Sequence, residues 1–402
     1  MKIGIYGGTF DPPHLGHMEA ARQVKALMGL DRLFLIPAKL PPHKDLPPDT
    51  ASQEQRLTMT RMMADGLGEG VEVSSLELER EGVSYSADTV EQLAAQYPDD
   101  ELWVLMGTDM FTSLQTWHEP ERLFRLAGVV GFARDESCGA RLERQRDELE
   151  KTYGARAQTV TLSHITKISS TQLRRDLAEQ WRDGRGGSGP VAQYLWPPVY
   201  GYILREGLYG TRADLKHLTD DQLRAVSYSM IRAKRIPHIR GTEETVVALA
   251  LHWGVNPQWA RRAGILHDCT KYLELEEQLA LCARYHVELD DLEQVAVKLL
   301  HAKTGAALAR HEFGEPAPIC DAIYCHTTGK PDMTTFDKIL YLADYMEPNR
   351  DFEGVEALRK LVWEDLDQAM LLGLEMTMQE MKEKNAPVHQ NTIQAWKQLK
   401  GK

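Results

Sequence analysis

The sequence of 402 residues is poor in the features that mark secreted, membrane-spanning and nucleic-acid-binding proteins. Its cysteines, Cys138, Cys269, Cys282, Cys320 and Cys325, form no Cys-x-x-Cys pair, so a disulfide framework is excluded and reduced, buried thiols of a cytosolic protein are expected. Basic residues number 47 against 59 acidic ones, a formal net charge of -12. Binding to a phosphate backbone needs a basic face, which this balance argues against, so no nucleic-acid partner is expected. A local basic pocket for a small anionic substrate is compatible with that acidic whole. No basic leader with an apolar core opens the sequence, and no run reaches the ~18 apolar residues of a membrane span. A soluble, cytoplasmic protein without a membrane partner is expected. Internal repeats and low-complexity tracts are also lacking, and charge runs such as "KEK" read as solvated helix faces.

What is present divides in two. A chain this long exceeds one ordinary core, so two domains of about 200 residues are the natural expectation. In the first half, "KIGIYG", "RLFLIPA", "VEVSSLEL", "ELWVLMG", "GVVGFAR" and "QTVTLSH" read as strands. Between them lie amphipathic stretches such as "HMEAARQVKALM" and "SADTVEQLAAQY", whose apolar residues recur at three and four. This alternation predicts an α/β domain, a mostly parallel Rossmann-like sheet whose ligands sit at the carboxyl ends of the strands. The segment "VAQYLWPPVYGYILREGLYG" reads as its closing helix and tail, with "GRGGSGP" an internal loop. From Thr219 onward only amphipathic helical segments follow, including one long final run from Val355 to Lys384. The domains are therefore placed at 1–212 and 219–402, the second all-α.

Near the start, "GIYGGTFDPPHLGH" sets two glycines and two histidines behind the first strand. Glycines there let backbone N–H groups approach a phosphate, and the following helix adds the positive end of its dipole. The stretch lacks the Gly-Lys-Ser/Thr of a Walker loop and the Gly-x-Gly-x-x-Gly of dinucleotide folds. Instead, His14 and His17 lie three apart on the first turn of a helix, facing what the loop holds. After the last strand, "ISSTQLRRDL" places Ser169, Ser170 and Thr171 at a second helix N-terminus with Arg174 one turn in. The hydroxyls could serve as caps alone. Together, two helix N-termini and a guanidinium at the ligand end of one sheet suit transfer of a nucleotidyl group, which needs positioning and neutralised phosphate charge.

"GGTFDPPHLGH" with "ISSTQLR" resembles the nucleotidyltransferase superfamily of signature His-x-Gly-His plus Ile-Ser-Ser-Thr-x-x-Arg. Within it, residues 1–210 resemble the bacterial nicotinate mononucleotide adenylyltransferases, with "PPHK", "SYSADT", "GTDMFTSLQTWHE" and "VVGFAR" in agreement. The resemblance implies transfer of AMP from ATP, carried with Mg²⁺, to nicotinate mononucleotide. It implies that His14, His17, Ser170 and Arg174 hold the ATP phosphates, and that Gly7, Gly8, Thr9, Phe10, Ile168, Ser169 and Thr171 contact ATP. Gly107 and Asp109 would line the adenosine pocket. Lys44, Tyr85, Ser86 and Trp117 would contact the mononucleotide, with Arg134 on its phosphate. An indole face such as that of Trp117 can stack on a pyridine ring. The pantetheine-phosphate type of the superfamily shares the histidine signature and stays open as an alternative.

In the helical half, His238, His267-Asp268, His301, His326 and Asp344 interrupt apolar helical runs such as "AGILHD", "VAVKLLH" and "AIYCH". A carboxylate or imidazole among core-facing residues is costly unless paired or metal-bound, and several together invite a metal reading. The order resembles the HD superfamily of metal-dependent phosphohydrolases. "HDCTKY", "HTTGKPDM" and "ILYLADYMEPNRDFEGV" resemble its bacterial branch that splits diadenosine tetraphosphate symmetrically into two ADP. That resemblance, over residues 220–400, implies His238, His267, Asp268 and Asp344 on one metal. Asp268 would bridge to a second metal held by His301 and His326. Iron is the metal expected, with manganese as the other candidate. Lys271 and Arg350 would bind polyphosphate. A non-hydrolytic nucleotide-binding regulatory module is the alternative for this half.

Overall fold

The computed structural model describes residues 1–42, 46–133, 138–182 and 189–401. It forms two compact units, Met1–Arg212 and Ala213–Lys402.

The first unit is built on six strands: β1 (Lys2–Gly8), β2 (Arg32–Pro37), β3 (Val71–Val73), β4 (Glu101–Gly107), β5 (Gly128–Ala133) and β6 (Ala157–Thr161). All neighbours pair in parallel, in the order β3-β2-β1-β4-β5-β6. The inner strands β2, β4 and β5 are apolar at nearly every position because helices cover both faces. Ile3, Ile5, Leu102, Val104 and Val129 enter one buried cluster. Tyr6, Trp103, Leu105 and Val130, which alternate with them, enter the other. Strand order reverses between β1 and β4, so a crevice opens where their carboxyl ends, Gly8 and Gly107, part company. "VEVSSLEL" is strand only over Val71–Val73; the rest turns into the short helix Leu76–Glu79. The run "VAQYLWPPVYGYILREGLYG" contributes the buried helix Pro197–Glu206 and ends on Gly207 in the left-handed region, φ 63°.

The second unit is helical, without a strand among the described residues, from Asp220–Ser229 through to Gln390–Lys400. The α/β and all-α classes expected from the sequence both stand. The final run is two helices rather than one, Val355–Leu361 and Leu366–Glu383. The Asp365 side chain accepts the Gln368 N–H and so starts a new helix within an apolar pattern that carries on across the break. No helix among the described residues is long and apolar enough to cross a membrane.

Candidate active sites

At the crevice beside β1 and β4 lies a cavity of about 960 Å³. Its walls include Gly7, Gly8 and Thr9 at the end of β1, Gly107 and Asp109 at the end of β4, and Ile168 and Ser169 ahead of the helix Ser170–Arg182. Tyr85, Ser86 and Trp117 line it as well, so most residues expected around ATP and the mononucleotide meet in one space. Trp117 is half-buried against the sheet core, and the exposed Asp109 carboxylate stands 3.7 Å from Arg141. Two residues that the sequence did not single out join them. The His118 ring stacks on Tyr85, centroids 4.1 Å apart, and Lys167 lines the wall beside Ile168.

The phosphate end of the site is built by two helices. His14 is the N-cap of the helix Leu15–Leu27, and its backbone N–H donates to His17 Nδ1 at 3.3 Å. The two imidazoles stack at 3.7 Å. Gly16 between them has a steric cause: a Cβ there would sit 2.7 Å from the Thr166 carbonyl. The Thr166 N–H in turn donates to Glu19 at 2.6 Å, which ties the first helix to the segment ahead of the second. Ser170 donates to the Pro12 carbonyl at 2.9 Å, and Arg174 Nη1 to the Asp11 carbonyl at 2.6 Å. His14, His17, Ser170 and Arg174 are thus gathered around the loop of residues 9–14. The Phe10 ring is buried and packs with Tyr6 and His17, so a contact of Phe10 with a ligand falls to its backbone. Thr171 is exposed and is not among the cavity walls. Lys44 and Arg134 lie outside the described residues.

In the second unit six side chains converge. His238 stands in the first turn of Ile236–Trp253, His267 and Asp268 follow Pro257–Leu266, and His301 lies near the start of Val297–His311. His326 caps Ala317–Cys325, and Asp344 sits in the last turn of Thr335–Met346. His238 Nε2 lies 2.9 Å from Asp344 and 3.2 Å from His267 Nε2. His301 Nε2 lies 3.1 Å from Asp268 Oδ1 and 3.2 Å from His326 Nε2. Donor atoms of His238, His267 and Asp268, and of Asp268, His301 and His326, form two groups spaced for a metal ion, with the Asp268 carboxylate common to both.

The donor set suits cations. His267, His301 and His326 each engage, through Nδ1, the carbonyl three residues earlier, those of Gly264, Lys298 and Ile323, at 2.7, 2.7 and 2.6 Å. A carbonyl can only accept, so Nδ1 carries the proton and Nε2 offers its lone pair inward. Asp268 Oδ1 is buried with no hydrogen-bond donor, the oxygen a cation would take. A third group, Asp290, Glu293 and His389, is built otherwise. There Nδ1 accepts the Asn391 N–H, so Nε2 is the protonated nitrogen, aimed at Asp290 from 3.0 Å, and has no lone pair for a metal.

His238 differs from the other three because its Nδ1 meets a carboxylate, Glu347, at 3.1 Å. Glu347 is buried, its second oxygen accepts the Asn349 N–H, and Gly241 makes its room, since a Cβ there would meet that oxygen at 2.2 Å. Glu347→Gln keeps an acceptor and removes the charge. It is expected to weaken divalent-metal binding about tenfold to a hundredfold, read by competition with a chelating dye.

Arg235, one turn ahead of His238, was also absent from the sequence expectation. Its Nε donates to Asp268 Oδ2 at 2.8 Å, with Nη2 on the same oxygen. Lys271 Nζ reaches His301 Nε2 at 3.0 Å, and Arg350 donates to Asp344 at 3.1 Å. Burial by itself would raise Asp268, but His267 and Lys271 outweigh it and hold the carboxyl well below its usual range. Asp344 is likewise held low by the hydrogen bond to His238 and by His267, against the raising effect of burial.

Burial pushes His267 down to about 3 and, with the Lys271 cation, His301 to about 4. Unfolded histidines titrate near 6.5, so the unfolded chain binds more protons below that pH and the fold loses stability on acidification. For the chelator-treated protein, His301 alone should cost about 3 kcal/mol between pH 6.5 and pH 4, seen as a falling urea midpoint. A midpoint flat across that window would refute the assignment of neutral imidazoles.

Comparisons with known proteins divide along the same line. Residues 5–176 match the family model described as cytidylyltransferase-like, and residues 235–349 match the HD domain. A probable nicotinate-nucleotide adenylyltransferase of Shewanella sp. strain ANA-3 is 38% identical over 224 residues, 52% of this chain and 99% of that protein. One from Geobacillus thermodenitrificans is 36% identical over 232 residues, 56% of this chain and 96% of that protein. A solved structure from Clostridium acetobutylicum, titled a "predicted HD superfamily hydrolase involved in NAD metabolism", is 36% identical. It covers 46% of this chain and 98% of its own, with a TM-score of 0.45.

Proposed function

From a chain whose N-terminal half belongs to the nicotinate-nucleotide adenylyltransferase family and whose C-terminal half carries an HD domain, we propose a bifunctional enzyme of adenylylated phosphates. The first unit transfers AMP from ATP, bound with Mg²⁺, to nicotinate mononucleotide. An oxygen of the mononucleotide phosphate bonds to the α-phosphorus of ATP, the bond to the β-phosphate breaks, and deamido-NAD and pyrophosphate leave. The attacking oxygen is already anionic, so the protein's task is to align it and to neutralise charge on the departing pyrophosphate. The observation that carries this reading is the meeting of His14, His17, Ser170 and Arg174 around one loop, whose Thr9 is a wall of the cavity. Tyr85, Ser86 and Trp117 supply the acceptor end, Trp117 as a stacking face for the pyridine ring.

The second unit hydrolyses diadenosine tetraphosphate symmetrically to two ADP. His238, His267, Asp268 and Asp344 would hold one divalent cation, and His301 and His326, with Asp268 shared, a second; iron is preferred for a set of imidazoles and carboxylates, manganese next. When bound, such a pair acidifies water and offsets charge on the phosphate attacked. Around it, Arg235, Lys271 and Arg350 furnish cationic donors for polyphosphate oxygens.

Purified full-length protein tests both halves. Deamido-NAD should form from ATP and nicotinate mononucleotide, and ADP should be the sole nucleotide product from diadenosine tetraphosphate, with two metals per chain. Dephospho-coenzyme A formation in place of deamido-NAD would reassign the first unit. Two bound metals with no ADP release would make the second a binding module.

A further inference from the structure

Beneath the phosphate end of the first unit lies a charged cluster that none of the proposed ligand contacts uses. Arg56 is fully buried, and its Nη1 donates to the Thr9 carbonyl at 2.9 Å and to the Ala38 carbonyl at 2.6 Å. Its Nε and Nη2 have no hydrogen-bond partner among the described residues. Asp11 is buried beside it. One Asp11 oxygen accepts the Ala51 N–H at 3.1 Å and the Tyr209 hydroxyl at 2.7 Å. The other lies 3.3 Å from Arg174 Nη1. Tyr209 comes from the far end of the unit and holds a left-handed backbone, φ 54°, which bulky residues adopt only when the surroundings enforce it.

We propose that Arg56, Asp11 and Tyr209 are positioning residues for adenylyl transfer: they set the loop of residues 9–12 and aim Arg174 without touching nucleotide. A trans peptide points its C=O and N–H in opposite directions. By drawing the Thr9 carbonyl inward, Arg56 turns the Phe10 N–H outward, the orientation an anion requires. The Asp11 and Pro12 carbonyls are occupied by Arg174 and Ser170, so three loop carbonyls, each a partial negative charge, are engaged by donors. Arg174 is held between two carboxylates, Asp11 Oδ2 at 3.3 Å from Nη1 and Asp49 Oδ2 at 3.5 Å from Nε, which fixes the direction of its guanidinium. Burial and the neighbouring Asp11 raise the Tyr209 hydroxyl above its ordinary range, so it stays a donor and fixes the carboxylate that Arg174 leans on.

This inference rests on the adenylyl-transfer reading, and the full-length protein can separate the two. Tyr209→Phe removes one oxygen. It should lower kcat for deamido-NAD formation about tenfold, raise the dissociation constant of pyrophosphate similarly, and leave KM for nicotinate mononucleotide within twofold. Because Arg56→Met could impair folding, Arg56→Lys is its companion, and the lysine variant should regain part of the lost kcat at equal soluble yield. Pyrophosphate binding unchanged in Tyr209→Phe, or a KM for mononucleotide that rises in step with the loss of kcat, would overturn the positioning role. If the unaltered protein makes no deamido-NAD, the functional reading falls, and pyrophosphate binding alone still decides for or against the clamp.

Discussion

Asp268→Asn should extinguish diadenosine tetraphosphate hydrolysis, by a factor on the order of 10³ or more, while adenylyl transfer proceeds at its normal rate. The substitution keeps size and shape, so the effect is one of charge. Asp268 is wholly buried, its Oδ1 lies 3.1 Å from His301 and 3.7 Å from His326, and its Oδ2 lies 3.7 Å from both His238 and His267. One carboxylate therefore serves both groups of imidazoles, and an amide in its place offers them one neutral oxygen where a charged pair stood. The Arg235 guanidinium loses its main counter-charge at the same time and faces Asp344 from 3.9 Å. An unpaired buried charge is destabilising, so some fall in melting temperature is expected as well. Metal content per chain should drop together with ADP release, and deamido-NAD formation in the same sample reports that the rest of the chain is folded. A variant that keeps two metals and a rate within tenfold of the original would remove Asp268 from the centre of this site.

The six strands were readable because a parallel sheet covered on both faces writes itself as short apolar runs separated by helical periodicity, as "ELWVLMG" and "GVVGFA" do at β4 and β5. The ends of elements were less so. "VEVSSLEL" keeps an apolar alternation past Val73, where the chain has already turned toward Leu76, and the cap at Asp365 divides a helix pattern that hydrophobicity alone continues. The metal-type residues were legible as polar interruptions of apolar helices, since His267, Asp268 and His326 are almost wholly buried and carry an obvious cost. Glu347 and Arg235 were not: a glutamate before a proline and an arginine before a buried helix look like any surface residue until His238 and Asp268 are brought against them. Phe10 shows what membership of a phosphate loop leaves open, which way the side chain goes, and this one packs into the core. Arg56 and Tyr209, 153 positions apart in sequence, were not legible either, because only the fold brings both against Asp11.

His17→Ala should lower the kcat of deamido-NAD formation by about 10²- to 10³-fold, the range for losing one donor aimed at developing charge. The tautomer explains why this histidine carries such weight. Its Nδ1 accepts the His14 backbone N–H, so in the neutral ring the proton sits on Nε2, and the ring is a donor without any need to be charged. Its plane is fixed by the stack on His14 at 3.7 Å and the edge contact with Phe10 at 5.2 Å, so the donor is held in place before a ligand arrives. His17→Gln retains an N–H donor on a flexible stem and should lose less than His17→Ala, with the difference between them measuring what the ring stack contributes. KM for nicotinate mononucleotide should change little in either variant, because Tyr85, Ser86 and Trp117 are among the cavity walls and His17 is not. Hydrolysis of diadenosine tetraphosphate should be unaffected. A His17→Ala enzyme within threefold of the parent kcat would mean that charge on the departing pyrophosphate is met by Ser170, Arg174 and the backbone amides alone, and the stacked imidazoles would then be a structural cap on the first helix.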